Sequence, residues 1–328
     1  MKDNTLRVVD ENRQFGGSNN DDQVQTEASR EFVNSLYVQN ITSRALAYLE
    51  VGYPVHLSGP SGTGKTTLAF HIATQLRQAV TLIHGDDEFG SSDLIGRDSG
   101  YKKVKIVDNY IHTVVKTQEE LNTNWEDNRL TTACMNGYTL IYDEFTRSKP
   151  EANNALLSIL EEKILNLPKL RRHGDGYLEV HPNFRAIFTS NPEEYVGVHK
   201  TQDALMDRLI TIQLGHHDRE TEIQIVKAKS DLQKKEADII VDLVRECRKL
   251  GDNVNRPTIR ACIAIAKVLV HRGGKASIKD PIFKEICHDV LCMNTGSRAK
   301  NGDPVSPDMI DQLIEKVTQK ARSSKKKR

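Results

Sequence analysis

Residues 55–69 read Val-His-Leu-Ser-Gly-Pro-Ser-Gly-Thr-Gly-Lys-Thr-Thr-Leu-Ala, a short apolar strand, a glycine-rich loop and the start of a helix. Few local sequences constrain a fold as tightly. Gly59, Pro60, Ser61, Gly62, Thr63, Gly64, Lys65 and Thr66 fit G-x-x-x-x-G-K-[ST], in which small residues let successive backbone N–H groups turn inward around a β-phosphate. Lys65 is placed to reach the β- and γ-phosphates, the Thr66 hydroxyl to ligate Mg2+, and Thr67 to complete the nucleotide-contacting run. The helix predicted over 66–76 adds its N-terminal dipole to the attraction for anions. A strand that feeds a helix through such a loop predicts an α/β fold with a parallel sheet.

Further apolar strands extend this reading. Residues 80–83 form one, and Thr139-Leu140-Ile141-Tyr142-Asp143-Glu144 forms another that ends in two carboxylates, as a buried parallel strand does when it delivers acids to the open end of a sheet. Asp143 is the expected second Mg2+ residue, and Glu144 is expected to orient or deprotonate the water that attacks the γ-phosphate. Residues 184–190 make a strand ending at Asn191, whose amide can hydrogen-bond both phosphate and water and so report cleavage. Ser148-Lys149-Pro150-Glu151 reads as a capping box with Ser148 as N-cap, opening a helix through Leu160. Two hairpins are predicted within this core. One has strands at 104–107 and 110–115 joined by Asp108 and Asn109. The other has strands at 164–167 and 177–180, with Arg171, Arg172 and His173 near its tip. The first is either a contact surface or a piece packed on its own domain, and the basic tip of the second reads as a solvated turn.

After a last strand at 210–214 the pattern becomes wholly helical, with helices predicted near 220–232, 237–250, 257–271, 281–293 and 307–321. The expected division is a polar, disordered arm over 1–29, a nucleotide-binding domain over 30–216 with inserted hairpins near 97–116 and 164–181, a helical domain over 219–322 and a basic tail over 323–328. Lys plus Arg total 46 against 45 Asp plus Glu, and aromatic residues make up 5%. That balance supplies neither the basic field nor the stacking platforms of a nucleic-acid partner. No apolar run approaches a membrane span and no signal-peptide core opens the chain, so a cytoplasmic protein with no membrane partner is expected. The five cysteines, Cys134, Cys247, Cys262, Cys287 and Cys292, lack metal-ligand spacing and read as reduced core thiols.

The order of phosphate loop, Asp-Glu strand, Asn-ending strand, Arg208 and trailing helices resembles the AAA+ ATPases, and within them the MoxR group. Gly52-Tyr53-Pro54-Val55-His56-Leu57-Ser58-Gly59-Pro60, Asp93-Leu94-Ile95-Gly96 and the run from Asp143 through Leu157 carry a closer resemblance to the CbbQ/NirQ/NorQ/GvpN family. Tyr142, Phe145 and the segment from Leu160 to Pro168 look most like its GvpN branch. The resemblance covers about 30–321. It implies an AAA+ P-loop core followed by a small all-helical lid, ATP and Mg2+ as cofactors, and self-association as a hexameric ring. Arg208 then corresponds to the finger that completes a neighbour's site, and Arg260 to the lid's sensor, with Arg256 the alternative for that role. The implied function is ATP hydrolysis driving gas vesicle assembly and growth by remodelling shell or accessory proteins. Two alternatives stay open: a nucleotide-gated structural tether of the vesicle with little turnover, and a metal-inserting or enzyme-activating chaperone like those relatives.

Overall fold

Strands buried at most of their positions belong inside a sheet covered on both faces, and the segments Val55–Ser58, Val80–His84, Thr139–Asp143 and Arg185–Ser190 are of that kind. The computed structural model describes residues 32–88, 90–108, 116–167, 176–192, 203–250, 256–292 and 306–326. Its first part runs α1 (Leu36–Glu50), β1 (Val55–Ser58), α2 (Lys65–Gln75), β2 (Val80–His84), α3 (Ser91–Ile95), β3 (Gly96–Asp108), β4 (Lys116–Asp127), α4 (Arg129–Asn136) and β5 (Thr139–Asp143). It continues through α5 (Pro150–Glu161), β6 (Ile164–Asn166), β7 (Tyr177–Glu179), β8 (Arg185–Ser190), α6 (Asp203–Met206) and β9 (Ile210–Gln213). The helices α7 (Arg219–Ser230), α8 (Lys234–Leu250), α9 (Ile259–His271), α10 (Pro281–Cys292) and α11 (Pro307–Lys326) follow.

The sheet has the order β2-β5-β8-β1-β9. Pairings β2 with β5, β5 with β8, and β8 with β1 are parallel, with His84 opposite Asp143 and Ser58 opposite Ser190. Parallel strands end along one edge, which is where an α/β sheet presents its chemistry. All five residues of β5 are buried. Tyr142, Phe145 and Phe188 pack beneath the sheet with ring centroids 5.3–6.2 Å apart. Among the described residues, contacts divide the chain into two compact units. One comprises Arg44–Ser58 and Ala69–Ile212, and the other comprises residues 32–43, Gly59–Leu68 and 213–326. The phosphate loop therefore groups with the helical segment, whose own core gathers Ile223, Val241, Cys262, Ile265, Phe283, Cys287 and Ile314. No described helix is long and apolar enough to cross a membrane.

Several local expectations are corrected. Ser148 is not the N-cap of α5: its hydroxyl accepts from the Tyr142 hydroxyl at 2.8 Å and from the Asp86 N–H at 3.2 Å. The N-cap of α5 is Lys149, and Glu151 is exposed in the first turn. A buried tyrosine needs a partner for its hydroxyl, and that requirement outweighs a cap on an exposed helix end. A strand at Lys116–Asp127, beyond the predicted hairpin, pairs with β3 in antiparallel register. Its sequence is polar at nearly every position, so no alternation marks it. Helix α4 had no signal in the sequence reading. The predicted arm over 1–29, the turn residue Asn109, the strand at 110–115 and the basic tip at Arg171, Arg172 and His173 lie outside the described residues.

In the helical unit, Glu222 is 1% exposed and pairs with Arg248 at 2.6 Å and Arg245 at 2.9 Å. Removing one member of a buried pair strands the other's charge, which costs about 3–5 kcal/mol. Glu222→Leu should therefore lower the urea unfolding free energy by roughly that amount, whereas Lys234→Ala, which breaks an exposed pair with Glu220, should change it by less than about 1 kcal/mol.

In the sheet unit the His56 ring is buried and its pKa is pushed down from 6.5 to about 4 by desolvation. The unfolded chain thus takes up the proton first, and stability present above pH 6.5 is lost as pH falls toward 4. Urea unfolding at pH 7 and pH 5 should differ by on the order of 2 kcal/mol from this group. His56→Leu should flatten the slope.

Candidate nucleotide site

The phosphate loop owes its shape to residues that carry no side chain. Gly62 sits at φ +74°, and a Cβ there would fall 2.4 Å from the Thr258 hydroxyl oxygen. The position demands a left-handed backbone and tolerates no added carbon. Lys65 opens α2 and is 8% exposed; its ammonium donates to the Gly59 carbonyl at 2.7 Å and the Pro60 carbonyl at 2.8 Å. The lysine expected to meet phosphate is thus folded back over its own loop. Thr63 donates to the Pro60 carbonyl at 2.9 Å, while Thr66 is half-buried and Thr67 exposed. The first turn of α2 holds no acidic residue, so nothing offsets its dipole.

Arg260 is the predicted residue that the structure brings to this loop. Thr258 caps α9 by accepting from the Arg260 N–H, and the Arg260 guanidinium lies 3.5 Å from the Ser61 hydroxyl. Pro257, just before that cap, accepts from Arg248 Nε at 2.6 Å. The buried Glu222 pair therefore fixes the start of α9 and the arginine on it. Arg256 is exposed.

The acidic set stands in the sheet unit. Asp143 ends β5 at 7% exposure, and one carboxylate oxygen accepts from the Thr189 hydroxyl at 2.5 Å. The Thr189 oxygen in turn accepts from the Glu144 backbone N–H at 2.9 Å. Glu144 occupies the left-handed region at φ 51°, ψ 38°, an uncommon conformation for a residue with a side chain. Its carboxylate meets Arg147 at 3.0 Å. Gly85 permits this turn, because a Cβ there would lie 2.1 Å from the Glu144 carbonyl oxygen. The second Asp143 oxygen is 3.5 Å from His84 Nδ1, and that hydrogen bond raises the histidine pKa above its ordinary value. Asn191 is buried at 3% exposure just past β8. Thr189 and Asn191 are two residues apart across the end of that strand.

Thr189 is the residue the sequence reading missed. Its signal was available only as that two-residue spacing from Asn191 on a strand predicted to neighbour the acids. Arg208 lies beside α6 with its guanidinium committed within the chain: Nε and Nη2 both donate to the Glu161 carboxylate, the first at 2.9 Å, and Nη1 donates to the Ala204 carbonyl at 2.5 Å. Cys134, Cys247, Cys262 and Cys287 are buried, and burial pushes each thiol upward.

Residues 54–209 match the family model described as AAA domain (dynein-related subfamily). The chain is 50% identical over 260 residues to the gas vesicle ATPase GvpN of Ancylobacter aquaticus, covering 79% of this chain and 72% of that protein. It is 44% identical over 264 residues to the gas vesicle ATPase GvpN of Haloferax mediterranei, covering 79% and 74%. Protein NorQ of Paracoccus denitrificans is 26% identical over 222 residues, covering 67% and 74%. Identity at that level across most of both chains, with an AAA domain over the sheet that carries Asp143 and Glu144, decides the assignment: the chain belongs to the GvpN family of gas vesicle ATPases, AAA proteins of the MoxR type.

Proposed function

We propose that the chain hydrolyses ATP with Mg2+ as a hexameric ring and couples turnover to gas vesicle assembly and growth by remodelling shell or accessory proteins. The observation that carries the ATPase reading is the anchored Glu144. A carboxylate-bearing residue in a left-handed backbone, pinned through its N–H to the hydroxyl that also binds Asp143, is strain of the kind stored at functional sites. A module that only bound nucleotide would have no use for it. The vesicle as the place of action rests on the names of the GvpN relatives.

The residues present suit the substrate and the metal. Gly62 makes a loop that a Cβ would obstruct, and the Thr66 hydroxyl and Asp143 carboxylate are hard oxygen donors of the type Mg2+ takes. Bound Mg2+ supplies charge neutralisation on the β- and γ-phosphate oxygens. Lys65 exchanges the Gly59 and Pro60 carbonyls for phosphate oxygens. Glu144 turns from Arg147 to accept the proton of the attacking water, and Asn191 presents its amide to the γ-phosphate. Arg208 leaves Glu161 to stabilise charge on the nucleotide of an adjoining copy.

The same pairs also favour the tether reading. With Glu144 held by Arg147 and Arg208 by Glu161, a single chain can bind ATP with little turnover.

Phosphate release measured against protein concentration separates the two. A ring ATPase shows specific activity that rises with concentration. Glu144→Gln should lower it by on the order of 100-fold with ATP binding intact, Arg208→Ala by on the order of 1,000-fold, and Lys65→Ala should lose binding itself. ATP binding without turnover at any concentration would establish the tether. In cells, vesicle growth supported by Glu144→Gln but not by Lys65→Ala would do the same.

A further inference from the structure

One buried polar group takes no part in the chemistry described so far. His56 lies on β1 at 1% exposure, between the buried Val55 and Leu57. Its Nε2 is 2.8 Å from the Ser190 hydroxyl on β8, and its Nδ1 is 3.0 Å from the Thr211 hydroxyl on β9. The ring meets Phe145 edge-on with centroids 5.3 Å apart. Burial keeps the imidazole neutral, so it carries one N–H and one lone pair, and two hydroxyls satisfy both.

Placement turns this contact into more than core packing. Alternate residues of a strand point to opposite faces. On β8, Thr189 serves Asp143 and Glu144, so Phe188 and Ser190 stand on the reverse face with Tyr142, Phe145 and His56. The Ser190 bond therefore holds β8 from behind, one residue from Thr189 on one side and from Asn191 on the other. Phe145 directly follows Glu144 and packs edge-on against both His56 and Phe188. One imidazole thus backs both the strand carrying the γ-phosphate sensor and the turn carrying the base. Through Thr211 it also reaches β9, which begins two residues after Arg208.

We infer that His56 is a positioning residue for ATP hydrolysis, fixing the Ser190 end of β8 and the Phe145 turn from the reverse face of the sheet so that Thr189, Asn191 and Glu144 keep their alignment. The inference rests on the ATPase reading above. A hydrophobic side chain of similar size fills the same space but holds no strand at a fixed point. Displacement of about 1 Å at reacting groups costs on the order of 100-fold.

His56→Leu alone leaves the buried Ser190 hydroxyl unpaired and lowers stability. The paired variant His56→Leu/Ser190→Ala removes both partners, which restores most of that stability. Urea unfolding, ATP affinity and kcat are measured for the full chain, both variants, Asn191→Ala and the combination of all three substitutions. The paired variant should unfold close to the unmodified chain and bind ATP within about threefold of it, with kcat down on the order of 10–100-fold. In the Asn191→Ala background the same pair should cost less than in the unmodified chain, what remains being its effect on Glu144 through Phe145, because residues acting through one another are not additive. Full kcat in the paired variant overturns the inference and leaves the ATPase reading intact, since the imidazole then only fills the core. Additive loss in the Asn191→Ala background overturns it as well. An unmodified chain with no turnover at any concentration overturns both.

Discussion

The Thr189 hydroxyl is the hinge of the acidic half of the site. It donates to Asp143 and accepts from the Glu144 N–H, so a single oxygen fixes two consecutive residues with opposite demands. Asp143 belongs to a buried strand and must point a carboxylate out of it, while Glu144 must leave the strand at once. A left-handed residue achieves that exit in one step but costs of order 1–3 kcal/mol. The hydrogen bond to its N–H, the Gly85 gap opposite its carbonyl and the packing of Phe145 offset the cost together. Removing the Thr189 oxygen would free the turn to relax, which makes the strain dependent on a strand 45 residues distant in the chain.

Every charged group assigned to hydrolysis has a partner within the chain. Lys65 has loop carbonyls, Glu144 has Arg147 and Arg208 has Glu161. The Glu144 and Arg208 pairs are partly or largely exposed, and such pairs contribute at most about 1 kcal/mol each. They hold the groups out of position at little cost to releasing them. The arrangement differs from that of Glu222 and Arg248, a pair that is nearly fully buried and expensive to separate. The exposed pairs thus fall on the groups proposed to move during hydrolysis, and the buried one on the start of α9.

What the sequence revealed tracks the distance over which each signal acts. The phosphate loop, the Asp143-Glu144 strand end and Asn191 are read from a few adjacent residues, because backbone chemistry and strand ends are local. Ser148 was misread since its hydroxyl serves Tyr142 and the Asp86 N–H, the latter 62 residues away, a claim no local cap rule can anticipate. β4 escaped because its sequence is polar at nearly every position, and its pairing with β3 leaves no local signal. Thr189 and His56 have partners 45 to 155 residues away. Their roles appear only when strands 1, 5, 8 and 9 are assembled in the sheet.

The helical unit shows how a distant buried charge can act on the loop. Glu222 holds Arg248, Arg248 holds the Pro257 carbonyl, and the next residue, Thr258, both caps α9 and occupies the space that a Gly62 side chain would need. Two residues further, Arg260 reaches the Ser61 hydroxyl. In the ATPase reading proposed above, a phosphate entering this loop would draw Lys65 off the Gly59 and Pro60 carbonyls and shift Ser61 and Gly62. Because packed interiors resist small displacements rather than absorbing them, movement of the loop must pass through Thr258 to the helix it caps. On that proposal the route from nucleotide to helical unit would begin at a glycine that cannot carry a side chain, and end at an ion pair too buried to yield.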